Sequence, residues 1–269
     1  MTTSAVYRHP PIAVVLLEVR HPVSELPAPA LPLIKETLRD YTPIERVERT
    51  MGFEIAPNGQ PIGAKESILP KFVSRDVHTA VTYRPDGVAI ETTDYLGWEW
   101  FKQVAERALF ARQEFAPVDG IERIGLRYVD EVRVPHSNGV LDWSDWVISD
   151  LLGPRKQVES LGLRLQEQQS VFQFQMPSPG MTFTLRCGIG TGAVVQSSDN
   201  LRRPQEPPRD GQFFLIDSDA AWVEPEGKIP EFDPSHILNV SEELHSPIKK
   251  MFEELITDKL REEVLNGSD

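Results

Sequence analysis

Cysteine is nearly missing from this chain: Cys187 stands alone among 269 residues. A single cysteine cannot close an intrachain disulfide, so the fold is expected to rest on packing and to suit a reducing compartment. Long apolar runs are also missing. The longest falls far short of the roughly 20 residues that span a bilayer, so no membrane partner is expected. Positive charge is scarce, with 28 Lys and Arg against 41 Asp and Glu and a formal net charge of −13. Phosphates repel such a surface, which argues against direct nucleic-acid binding. The densest basic stretch, Arg202, Arg203 and Arg209, is interrupted by Glu206 and Asp210 and reads as a solvated loop. The first twenty residues lack the basic-then-apolar order of a secretory leader, because Arg8, His9 and Pro10-Pro11 fall where the apolar part would lie. A cytoplasmic protein is the expectation.

Metal and phosphate motifs are missing as well. The six histidines, His9, His21, His78, His136, His236 and His245, show no ligand spacing, and there is no CxxC, HExxH or DxDxDG element. Gly188-Ile189-Gly190-Thr191-Gly192 follows a strand-like run but leads into AVVQSSDNLRRP rather than a helix. Without a helix N-terminus to receive a phosphate, the run reads as a turn or bulge. Cys187 sits in the alternating set Phe183, Leu185, Cys187, Ile189, the setting of a buried and inert thiol. No cofactor, no metal and no catalytic residue are expected.

What is present is enough for a substantial core, with 40% apolar residues. Ile12–Arg20 is rich in β-branched residues between prolines and predicts a strand; a short amphipathic helix is expected near Leu33–Arg39. Tyr41 to Phe72 reads as two or three short strands or loops, with a turn at Asn58-Gly59. Asp76–Tyr83 and Val88–Thr93 flank Pro85-Asp86-Gly87 and predict a hairpin. A helix is expected from Asp94 or Gly97 through Phe115, with Phe101, Val104, Ala105, Ala108, Leu109 and Ala111 on its apolar face. Ile121–Val134 reads as a long strand with room for a bulge at Gly125.

Beyond Asn138-Gly139, a short helix is expected from Trp143 to Leu152. A second hairpin pairs Gly162–Met176 with Met181–Ile189, and a strand begins at Gln212. Leu244–Val264 has the spacing of an amphipathic helix. Ser246 and Pro247 suit its start, unless Pro247 lies inside a longer helix. The expected fold class is therefore α+β: antiparallel sheet built from hairpins, covered by long amphipathic helices. The chain divides into an N-terminal half, 1–136, and a C-terminal half, 137–269, packed as one unit. Each half carries a hairpin and a long helix, which leaves a duplication open.

Three stretches carry a resemblance. They are YRHPPIAVVLLEVRH near the start, VAIETTDYLGWEWFKQVAERAL with IERIGLRYVDEV, and the terminal LHSPIKKMFEELITDKLREEV. Together they resemble the bacterial "sporadically distributed" family of unknown function, in Gly125 to Tyr128 and Phe252 to Thr257 above all. That resemblance implies no catalytic residues. The patchy occurrence of such genes suggests mobile, phage-defence or toxin–antitoxin loci.

Several side chains stand out as candidates. Trp98, Trp100, Trp143 and Trp146, with Trp222, read either as exposed interface anchors or as rim packing against the Pro-rich loops. Trp98 and Trp100 point to different sides of any regular element, so at least one is expected near the surface. Arg123 and Arg127 share a strand face and read as a structural network with Glu18 or Glu91, or as an anion site. Among the carboxylates Asp94, Glu99, Asp130, Glu131, Asp217 and Asp219, Asp94 suits a helix N-cap and the last two suit strand-end solvated charges. The first expectation for function is a non-enzymatic interaction component, of accessory, immunity or antitoxin kind, whose acidic surface fits a basic protein partner. The alternative is an enzyme or small anionic-ligand binder with a pocket between sheet and helices. Homo-oligomerisation through the C-terminal helix is a further expectation.

Overall fold

The computed structural model describes residues 7–55, 61–135, 141–154, 160–163 and 168–267, with the side chains of 50–55 and 61–67 outside that description. Nine strands make one antiparallel sheet: β1 (Ile12–Arg20), β2 (Ile44–Ile55), β3 (Pro61–Val73), β4 (Thr79–Arg84), β5 (Gly87–Thr92), β6 (Arg123–Val132), β7 (Gln168–Gln175), β8 (Met181–Thr191) and β9 (Gln212–Trp222). Their spatial order is β2-β3-β4-β5-β1-β6-β9-β8-β7. Among the described residues three α-helices accompany it: α1 (Leu31–Thr37), α2 (Trp98–Phe115) and α3 (Pro234–Leu255). The α+β class with an antiparallel sheet is as expected. Residue 136 divides these elements unevenly, and the sheet is continuous across it through the β6–β9 pairing.

Register explains why the sheet has two unlike faces. Val15, Leu17 and Val19 of β1 lie opposite Thr92, Ile90 and Val88 of β5 on one side and Tyr128, Leu126 and Ile124 of β6 on the other. All of these are buried, so the set forms one continuous apolar surface. Helix α2 packs on it with Phe101, Val104, Ala105, Ala108 and Leu109, and α3 with Ile237, Leu244 and Ile248. Burying each large apolar side chain contributes about 1.5–3 kcal/mol, which is what fastens the helices to this side. The residues between them in sequence, among them Glu18, Arg123, Arg127, Asp217 and Asp219, fall on the opposite face. No helix packs there among the described residues.

Several local expectations are corrected. Tyr41 to Phe72 holds two long strands rather than several short ones, and Asn58-Gly59 lies outside the described residues. The β6 pairing runs straight through Gly125; the irregularity lies between Ile12 and Val14 of β1. Trp143–Asp145 and Ser149–Leu151 are separate 3-10 turns, not one helix. Gly188 to Thr191 continues β8, and only Gly192, at φ 88°, leaves the extended conformation. A side chain at Gly188 would strike the Gln168 carbonyl of β7, so close strand approach accounts for the glycine. The terminal helix starts thirteen residues before Pro247: Asp233 caps it by accepting from the Ser235 N–H, and Pro247 lies inside. An internal proline removes one helical hydrogen bond, a loss of about 3 kcal/mol that packing of Leu244 and Ile248 must offset.

The 192–211 segment is a strap tied to the sheet through its backbone and Arg203, while Arg202 and Arg209 are exposed as a solvated loop would have them. It leaves β8, crosses towards β4, and returns to β9. Its Arg202 N–H donates to the Val77 carbonyl at 2.7 Å, and the Arg202 carbonyl receives His78 Nδ1 at 2.8 Å. Arg203, nearly buried, places both of its contacts on the Glu131 carboxylate, at 3.0 and 2.9 Å.

Candidate functional site

A cavity of about 550 Å3 opens at one end of the helix-covered face. Its floor is the start of β1 and the end of β6; its walls are the first turn of α2 and the middle of α3. Gly97, at φ 110°, turns the chain into α2 beside this opening, a conformation that a side chain would disfavour. Gly97 therefore holds the N-cap position, and the expected cap Asp94 does not. No side chain caps this end of α2.

Aromatic rings make most of the wall. Trp98 stacks on His245 with ring centres 4.3 Å apart and planes within 7°. The Tyr128 hydroxyl donates to the Tyr95 hydroxyl at 2.9 Å, and the two rings meet edge to face. Trp100 and Phe252 stand nearer the mouth, half-buried. Trp98 Nε1 donates to Glu242 at 2.7 Å, and Lys102 reaches the same carboxylate at 2.9 Å. On the far side, Tyr7 donates to Glu253, which also receives Arg261.

The floor holds the anomaly. Asp130 is 4% exposed and lines the cavity, and its carboxyl has no hydrogen bond or ion pair among the described residues. Burial in an apolar setting disfavours the charged form, and the Asp217 carboxylate across the sheet adds repulsion; together they push the Asp130 carboxyl up to about 8. His245 moves the other way. Its burial pushes the imidazole down to about 4, against the opposing pull of Glu242. Burial raises the Tyr95 phenol to about 12 and also holds Tyr128 well above the usual phenol range, with Tyr95 and then Asp130 adding to the latter. At neutral pH the cavity thus presents a protonated carboxyl, a neutral imidazole and two phenols. A proton donor and a proton acceptor thus line one cavity.

The residues singled out from the sequence are dispersed. Trp98 and Trp100 border the cavity, the first buried and the second half-exposed. Trp143 packs on Phe214 in the core, and Trp146 is buried beneath Lys259, whose Nζ lies 4.5 Å from its ring centre. Arg123 and Arg127 are on the opposite face. Arg127 grips Asp217 with two bonds of 2.7 Å, and Arg123 meets Glu18 at 3.0 Å; Glu91 pairs instead with Lys71. Asp217 and Asp219 are mid-strand members of this network, not solvated ends, and Arg186 lies 3.4 and 3.6 Å from them. Cys187 is buried, and burial raises its thiol to about 11. Among the described residues no group of three or more His, Cys, Asp or Glu could hold a metal ion, and no helix is long and apolar enough to cross a membrane.

Sequence reasoning passed over His245, Tyr95 and Glu242 as site residues and did not separate Asp130 from the other carboxylates. A signal for Asp130 existed: it occupies an inward position in the set Ile124, Leu126, Tyr128, Asp130, Val132. No protein-family model matches the chain, and no curated protein does so either. The family resemblance rests on the quoted motifs alone.

Proposed function

We propose that the protein works through the cavity between α2, α3 and the sheet, as a binder of a small organic ligand. One observation carries this reading: Asp130, buried and with its carboxyl unpartnered among the described residues, faces a cavity. Burying a carboxyl in this way costs stability, so its place is best explained by something that enters and satisfies it. The volume is that of a cofactor- or drug-sized molecule, and the mixture of aromatic wall and few polar groups is typical of such sites. Asp130 and His245 also supply an acid and a base should the ligand be transformed there.

A second reading keeps the protein as an interaction component of the accessory, immunity or antitoxin-like kind. It is favoured by edge strand β7, where Val171, Phe172 and Phe174 are exposed. One variant separates the two. Ile248→Trp fills the cavity; thermal-shift screening of a small-molecule library should give stabilising compounds for the wild type and none for the variant. A library that never distinguishes the two proteins, with a partner protein from the host captured equally by both, would replace the first reading by the second.

A further inference from the structure

We propose that the ligand of this cavity is an organic cation, an ammonium or amidinium group on an apolar body, whose charge pairs with Asp130. The inference rests on the cavity being the functional site and names what fills it.

The charges around the cavity argue for a cation. Glu99, Glu242 and Glu253 line it with Asp130, against Lys249 as the one cationic side chain in the lining. Lys102 and Arg261 stand outside the lining and are occupied with Glu242 and Glu253. His245 remains uncharged over the physiological range. An anionic guest would therefore meet Glu99 at the mouth. A cation meets complementary charge there, gains it at the floor once Asp130 gives up its proton, and is drawn in by the net charge of −13.

The walls suit the same guest. Trp98, Tyr95, Tyr128, Trp100 and Phe252 present aromatic surface around the space above Asp130. Ring faces attract cations, most strongly where water is excluded. Elsewhere in this protein buried carboxylates come with arginine: Glu131 has Arg133 and Arg203, Asp217 has Arg127 and Arg186. At Asp130 an entering cation would take the place that arginine fills at those two sites.

The proton inventory follows. Empty, Asp130 holds its proton below about pH 8. A cation needs the carboxylate, so binding releases that proton, and affinity should rise about tenfold per pH unit from 6 towards 8. The other groups facing this space are Glu99, Glu242, Glu253, Lys249, Tyr7, Tyr95, Tyr128 and His245. Tyr7 and Tyr95 are raised to about 12, Tyr128 is raised, Glu242 is lowered and His245 lies at about 4, so none of these five moves towards that interval.

The test uses three probes of one shape or size on the full chain, by isothermal titration calorimetry: benzyltrimethylammonium, its uncharged isostere neopentylbenzene, and phenylacetate. The cation should bind at least tenfold more tightly than either, release close to one proton at pH 7 in buffers of different ionisation heat, and lose at least tenfold in Asp130→Asn. The pH slope of the wild type serves if that variant does not fold. Neopentylbenzene or phenylacetate binding as tightly as the cation, with loss in Ile248→Trp, would overturn the cation and leave the cavity as the site. No probe separating wild type from Ile248→Trp would remove both.

Discussion

Asp130 and Glu131 are neighbours in β6, almost equally buried, and they meet opposite fates on the two faces of one sheet. Glu131 points to the open face, where Arg133 and Arg203 close on its carboxylate and the Val194 N–H donates to it at 2.8 Å. Asp130 points under the helices and meets only rings and space. The difference teaches that burial alone says little about a charged group. A buried carboxylate enclosed by guanidinium groups is part of the scaffold; one left bare beside a cavity is a place for something else.

The largest effect expected from breaking this contrast is on the pH dependence of stability. The unfolded Asp130 ionises near the ordinary aspartate value of 3.8, whereas the folded one keeps its proton to about 8. Between those limits the unfolded chain binds fewer protons, so rising pH favours unfolding, and the fall stops above the folded value. At about 1.4 kcal/mol per pH unit, the wild type should shed on the order of 5 kcal/mol relative to Asp130→Asn across that window. Denaturant melts of both proteins at pH 4, 6 and 8 measure it; parallel curves would mean that Asp130 is not the isolated group described.

Glu131→Ala comes next. It strands two arginines and one backbone N–H in nearly buried positions, and should lower stability by about 3 kcal/mol at neutral pH. Chemical denaturation would show it, and a change under 1 kcal/mol would mean the strap does not depend on this carboxylate. The smallest effect belongs to Asp219→Asn. Its arginine contacts are 3.6 Å long, and Arg123 and Arg186 keep Glu18 and Asp217. Less than about 1 kcal/mol is expected, and a larger loss would show the open-face network to be more cooperative than its distances imply.

Much of the fold was legible. Strand β1 and the β4–β5 hairpin lie where β-branched runs and Pro-Asp-Gly place them, because these depend on residues within a few positions. The apolar face of α2 is likewise as its spacing indicates. The start of α3 was harder: Asp233 and Pro234 are a strong opening pair, yet Pro247 drew attention to itself as a beginning although it sits mid-helix. Four of the five tryptophans are buried, since a ring this large fills core space wherever the sheet and helices leave it. Of the candidate site only Trp98, Trp100, Glu99 and Asp130 were visible as residues, and no local pattern joined them to Glu242 or His245, more than a hundred positions away.

Alternation along each strand, the shortage of cysteine and the excess of acid are properties of the chain itself; they determined an antiparallel sheet with one greasy and one charged face. Strand order was not among them. Bringing β6 between β1 and β9 placed Asp130 beneath α3, and carrying the strap across the sheet brought Arg203 to Glu131 from 72 positions away. Whether a carboxylate finds a guanidinium or an empty space is settled by contacts distant in sequence, where the free energy lies in shape and desolvation rather than in any neighbouring residue.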